Sequence, residues 1–185
     1  MYKAIIIGGS AGSFQVITRI LYSINETFNL PIFLCLHRLK QVRTGFVEAL
    51  SLRSNISIVE PNDKDRIKKG VVYLAPANYH MYIEYGNCIA LSTEEPVNYS
   101  RPSIDILMES ASNIYREKLV GIILSGANRD GAYGLKRIKD NGGMAIVQDP
   151  DECTIKTMTE ASMKITEVDH VLYTNQIIDF INNLS

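Results

Sequence analysis

The chain has no tryptophan, only 8% aromatic residues and no run of basic residues, and its 19 Lys and Arg nearly balance 20 Asp and Glu for a net charge of -1. That inventory supplies neither a base-stacking platform nor a clamp for a phosphate backbone, which argues against nucleic acid as a partner. Cysteine is scarce as well. Cys35, Cys88 and Cys153 lie far apart and form no C-x-x-C pair, which argues against a zinc knuckle or a disulfide framework and fits a reducing cytoplasm. Long apolar runs are missing: MYKAIIIGGSAGS reaches glycine after a few apolar residues, too soon for a signal-peptide core or a membrane insertion. There is no internal repeat, low-complexity tract or linker. What remains, 185 residues of which 46% are hydrophobic and 21% charged, is the make-up of a single globular domain over residues 1–185. A chain of that length buries roughly 70% of its unfolded surface and needs no metal or disulfide to hold a core.

Residues 3–8 are β-branched and continuously apolar before they end in glycine, as in a strand buried on both faces. Helical spacing of Phe14, Val16, Ile17, Ile20, Leu21 and Ile24 follows, predicting a helix over 13–23. The same grammar repeats: strands at 31–36, 56–59, 119–124 and 144–147, helices at 42–53, 104–115 and 132–139, with Ser103 as N-cap of the second of these. Strands of this kind alternating with helices predict an α/β fold, a doubly wound, mostly parallel sheet flanked by helices. The middle interrupts the pattern. Residues 71–74, then 80–84 and 88–91 joined across Tyr85, Gly86 and Asn87, read as an antiparallel excursion with an inserted β-hairpin.

Between the first strand and the first helix, Gly8-Gly9-Ser10-Ala11-Gly12 reads as G-x-S-x-G in the context a nucleophile elbow needs. Glycines there permit a sharp turn that raises the serine Oγ above the sheet and leaves backbone N–H groups free to face an oxyanion. The plainer alternative is a glycine-rich turn that packs a helix or meets a phosphate. Serine needs a base, and His37 follows a strand, at the edge where a parallel sheet delivers Ser10. His80 and His170 read as structural or surface residues and stand as fallback bases. Asp130, in the loop after the 119–124 strand, reaches the same edge and is expected to orient the imidazole through Nδ1, leaving Nε2 to face Ser10 Oγ, although an Asp before a helix more often caps it. The order Ser, His, Asp is not that of α/β-hydrolases. A Rossmann-type nucleotide site is the rival, with Arg38 meeting a ribose phosphate, but two of its three glycines are missing and no Walker lysine follows.

Five blocks in this order, IIIGGSAGS, LCLH, YLAPANYHM, PVNYSRPSIDIL and GIILSGANRDGAYGL, with MTEAS at 158–162, resemble the catalytic domain of the bacterial chemotaxis protein-glutamate methylesterase over nearly the whole chain. The resemblance implies hydrolysis of glutamate methyl esters on the cytoplasmic helices of chemoreceptors, release of methanol, and in many members glutamine deamidation. It places the nucleophile on Ser10, the base on His37 and the orienting aspartate on Asp130, with oxyanion donors at the backbone of Ala11 and Ala127. No metal or organic cofactor is implied, because a methyl ester is activated enough for triad chemistry. Loops at 75–80 and 98–102 then form a rim that meets protein, with Arg101 facing acidic receptor helices. The sequence also departs from the family. Ala11 stands in place of Thr, Arg38-Leu39 of Met-Pro, and Ala127 of Met. The receiver domain that usually precedes this one is not in the chain, so control by its phosphorylation is not expected within the chain, and a separate receiver protein stands as a candidate partner. A non-catalytic signalling module of the same fold is the second alternative.

Overall fold

In the computed structural model, residues 1–37, 45–52 and 54–184 are described. Strands β1 (Ala4–Gly9), β2 (Ile32–Leu36), β3 (Ser57–Val59), β4 (Val71–Leu74), β7 (Leu119–Ile123), β8 (Met144–Gln148) and β9 (His170–Leu172) form one sheet in the order β3-β4-β2-β1-β7-β8-β9, and every pairing in it is parallel. A second, two-stranded sheet is the antiparallel hairpin of β5 (His80–Glu84) and β6 (Cys88–Ser92).

Side-chain alternation explains the unbroken apolar strands. Ile5, Ile7, Ile32 and Leu34 enter one buried layer with Ile17 and Ile20 of α1 (Phe14–Ser23), Leu50 of α2 (Phe46–Ser51) and Ile177 of α6 (Thr174–Asn182). Ala4, Ile6, Phe33 and Cys35 enter the opposite layer, with Leu107 of α3 (Ile104–Tyr115), Leu135 of α4 (Ala132–Asp140), Met158 of α5 (Thr157–Ile165) and Ile83 of the hairpin. A strand covered on both sides has no polar face to show, so period-two alternation vanishes from its sequence.

One expectation is corrected. Residues 71–74 belong not to an antiparallel excursion but to the main sheet, where β4 lies parallel between β2 and β3. Val72 and Leu74 face one layer and Tyr73 the other, which is what the uninterrupted VVYL run implies. Among the described strands only β5 and β6 leave the sheet, and their hairpin is fastened to α3 by Ile83 N–H donating to Ser110 Oγ at 3.1 Å. The expected 42–53 helix is present over Phe46–Ser51, while 42–44 and 53 lie outside the described residues.

The chain winds outward from β1 through β2, then returns to β7 on β1's other side. Strand order reverses between β1 and β7, and the crevice beyond their carboxyl ends is where open α/β sheets bind ligands. Ser10 follows β1 there, and the 124–131 loop follows β7. Among the described residues no helix is long and apolar enough to cross a membrane.

Candidate active site

The elbow is a tight turn. Ser13 N–H and Ser13 Oγ both donate to Ser10 O, at 3.1 and 2.6 Å, and Gly12 holds φ +84°, the conformation that the third position of a type II turn requires. Gly8 is required by close approach instead, since a Cβ there would sit 2.5 Å from Ile104 Cγ2 at the start of α3. Buried Ser125 anchors the turn from the neighbouring loop: its carbonyl accepts Ser10 N–H at 2.9 Å and its hydroxyl lies 2.9 Å from Ala11 O. Ser125 N–H in turn donates to buried Gln148 Oε1 at 3.0 Å. Ala11 and Ala127 are exposed, and among the described residues no acceptor takes either N–H.

His37 continues β2 and donates its backbone N–H to Gly9 O at 3.2 Å, so it stands beside the elbow at the carboxyl edge. Its Nε2 is 2.7 Å from Asp130 Oδ2. Fully buried Asp130 also accepts from Ile104 N–H at 2.7 Å, Ser103 Oγ at 2.8 Å and Asp105 N–H at 3.2 Å. Burial alone would raise its pKa. The His37 contact and the Ile104 and Ser103 donors outweigh that and hold Asp130 below the usual carboxylate range. An ionised Asp130 fixes the tautomer, because it accepts the Nε2 proton and leaves Nδ1 as the basic nitrogen. The two neighbours of Nδ1 can both donate to it: Ser100 Oγ and Asn128 Nδ2, each at 3.4 Å.

Three expectations change here. The sequence argument gave Nδ1 to Asp130 and Nε2 to Ser10, whereas the ring is turned the other way. Asp130 is not the cap of α4: it sits at the N-terminus of α3, and the N–H groups of Gly131 and Gly134 at the start of α4 donate instead to Asp105 Oδ1, at 2.9 and 2.7 Å. The two helices thus exchange carboxylates, each satisfying N–H groups of the other. Burial first, and then the neighbouring Asp130, push Asp105 up to about 6. Finally, Arg101 is not a free rim cation. Its guanidinium donates to Asn78 Oδ1 at 2.8 Å and to the carbonyls of Thr93 and Glu94 at 2.6 and 2.8 Å, tying the two rim loops together.

The other histidines have different duties. Buried His80 accepts Ser103 N–H on Nδ1 at 3.2 Å and places Nε2 3.0 Å from Glu95 O, so both nitrogens are spent and burial lowers its pKa. His170 opens the edge strand β9, away from the carboxyl edge. Arg38 lies outside the described residues. Among the described residues Ser10 Oγ makes no hydrogen bond, to His37 or otherwise.

The sequence argument passed over Ser100, Asn98 and Asn128. Asn98 and Tyr99, at φ +49° and +62°, form a turn closed by Val97 and Ser100 that brings Ser100 to the imidazole. Paired left-handed residues are the mark of a type I′ turn, and the Asn at position 98 was its one visible signal.

A doubly wound sheet that offers a glycine-flanked serine and a histidine–carboxylate pair at one edge is laid out as a serine-type ester hydrolase. The chain belongs to the CheB methylesterase family, whose model matches residues 5–181. It is 44% identical over 178 residues to a Leptospira interrogans protein named protein-glutamate methylesterase/protein-glutamine glutaminase, covering 96% of this chain and 92% of that one. A Clostridium acetobutylicum protein of the same name is 33% identical over 177 residues, with this chain spanning 51% of its length. The crystal structure of the Thermotoga maritima CheB methylesterase catalytic domain superposes with a TM-score of 0.95 at 26% identity, covering all of both chains.

Proposed function

We propose that residues 1–185 form one catalytic unit that hydrolyses glutamate γ-methyl esters on the cytoplasmic helices of chemoreceptors, and by the same route deamidates glutamines, in chemotaxis adaptation. Ser10 is the nucleophile, His37 the base and Asp130 the carboxylate that orients it. His37 Nδ1 takes the Ser10 proton as Oγ attacks the ester carbonyl, and the imidazolium that forms is stabilised by Asp130. The exposed N–H groups of Ala11 and Ala127 are free to hold the oxyanion. Collapse of the tetrahedral adduct expels methoxide, which leaves as methanol with the proton from Nδ1. Water then attacks the acyl-serine with the same base and releases the glutamate. The neighbours of Nδ1 are no obstacle, since contacts of 3.4 Å are weak enough to yield the nitrogen to Ser10.

The observation that carries this reading is the 2.7 Å pair of His37 Nε2 with buried Asp130, which leaves Nδ1 as the basic nitrogen of a histidine whose backbone pairs with Gly9 of the elbow. Methanol release from methylated chemoreceptor membranes tests it. Wild-type protein is expected to release methanol, and Ser10→Ala to lose on the order of 10³-fold or more in kcat with an unchanged melting temperature. Activity retained in Ser10→Ala would remove Ser10 from the mechanism.

A further inference from the structure

A cavity of about 610 Å³ lies beside this site and shares a wall with it. The shared wall is Asn98 and Asp105: Asn98 Nδ2 donates to Asp105 Oδ2 at 2.8 Å and reaches Asp130 Oδ1 at 3.4 Å. Arg129, next in sequence to Asp130, and Lys164 near the end of α5 line the same cavity, together with half-exposed Tyr133 and Ile165. Both cations are exposed, and among the described residues neither has a hydrogen-bond or ionic partner. Their neighbours are not left so: Lys136 pairs with Asp140, Lys139 with Asp169, and Lys156 with Glu160. Among the described residues the one acid in the cavity wall, Asp105, is 7% exposed and spends its oxygens on Gly131, Gly134 and Asn98. The charge offered to a ligand is therefore positive, on a chain whose net charge is -1.

We propose that Arg129 and Lys164 form a subsite for a free carboxylate on the same substrate segment that presents its ester to Ser10. This rests on the methylesterase reading. A segment with several methylated glutamates gains carboxylates as its esters are cut, so the subsite would make the enzyme faster on partly demethylated segments. Exposed ion pairs are individually weak, and two acting together supply roughly tenfold in affinity.

Two helical peptides test it, each with one glutamate γ-methyl ester, flanked three and four residues away either by Glu or by Ala. At low ionic strength wild-type protein is expected to show a kcat/KM roughly tenfold higher on the acidic peptide, carried by KM, and about 0.5 M salt should erase most of that preference. The double variant R129Q/K164Q should lose the preference while cutting the neutral peptide at the wild-type rate. Preference that survives in the double variant, or a neutral peptide slowed as much as the acidic one, would overturn the subsite. Equal wild-type rates on both peptides would overturn it and leave the methylesterase reading standing, whereas no methanol from either would overturn both.

Discussion

The two sides of the candidate site are held by different forces. On the elbow side, residues 8–13 are fixed by backbone: a left-handed Gly12, a Gly8 with no room for a Cβ, and carbonyls of Ser10 and Ser125 closing the turn. On the base side, His37 and Asp130 are fixed by side chains, through a network in which Asp130, Asp105 and Ser103 satisfy the starts of two helices and Asn98 donates to Asp105. Steric fixing is indifferent to pH and intolerant of volume. Polar fixing tolerates volume better, but it fails when a donor meets a donor or when a carboxyl changes charge.

The largest effect should come from the polar side. Asp130→Asn keeps the shape but turns one of its two acceptor oxygens into an amide donor, facing either His37 Nε2 and Ile104 N–H or Ser103 Oγ and Asp105 N–H. We expect kcat to fall on the order of 10³ to 10⁴-fold by the wrong tautomer, together with a stability loss of about 1–3 kcal/mol. Were Asp130 only a cap for α4, as its sequence position suggests, stability would barely move. Denaturant titration alongside the rate measurement separates the two.

Gly8→Ala challenges the steric side. Its new Cβ would press on Ile104, whose N–H is held by Asp130, so the change also reaches the base side. A destabilisation of about 1–3 kcal/mol is expected, read as a lower denaturant midpoint at unchanged slope. A neutral result would mean that α3 can shift away freely.

The smallest effect should be the pH response. Asp105, raised to about 6 in the folded state, binds a proton there that the unfolded chain has already released. Its contribution is therefore fully present only below about pH 4 and is lost as pH rises through 6. Asp130 has the opposite sign: its depressed pKa contributes stability above the ordinary carboxylate range that disappears only in stronger acid. Asp105→Asn should remove the pH 4 to 7 slope, and wild-type and variant curves that stay parallel across that interval would contradict the assignment.

Much of this was legible in the sequence, and the exceptions have physical causes. Strands buried on both faces announce themselves by composition, so β1, β2, β7 and β8 are found within about a residue of their ends. By the same logic 71–74 should have been read as part of the parallel sheet, but its nearness to the hairpin concealed that. The C-terminal elements were missed because they signal weakly. β9 is a three-residue edge strand with exposed His170 and Val171, and α6 starts from Tyr173 rather than from a Ser, Thr, Asp or Asn cap. At the site, chain topology brought Ser10, His37 and Asp130 to one edge, which sequence order can foresee. The ring orientation of His37 and the carboxylate exchange between α3 and α4 depend on how two helix starts pack side by side, and no local pattern encodes that. Arg101 shows the same limit, since a charged residue in a rim loop reads alike whether it faces solvent or carbonyls.

Covalent trapping tests the central claim most directly. The hydroxyl beside His37 Nδ1 is that of Ser100, at 3.4 Å, while Ser10 Oγ makes no hydrogen bond among the described residues. If the base serves Ser10, a fluorophosphonate should add to one serine, identified by peptide mass spectrometry as Ser10, with labelling lost in Ser10→Ala and slowed at least 10²-fold in Asp130→Asn. Labelling at Ser100, or at Ser10 with a rate indifferent to Asp130, would contradict it.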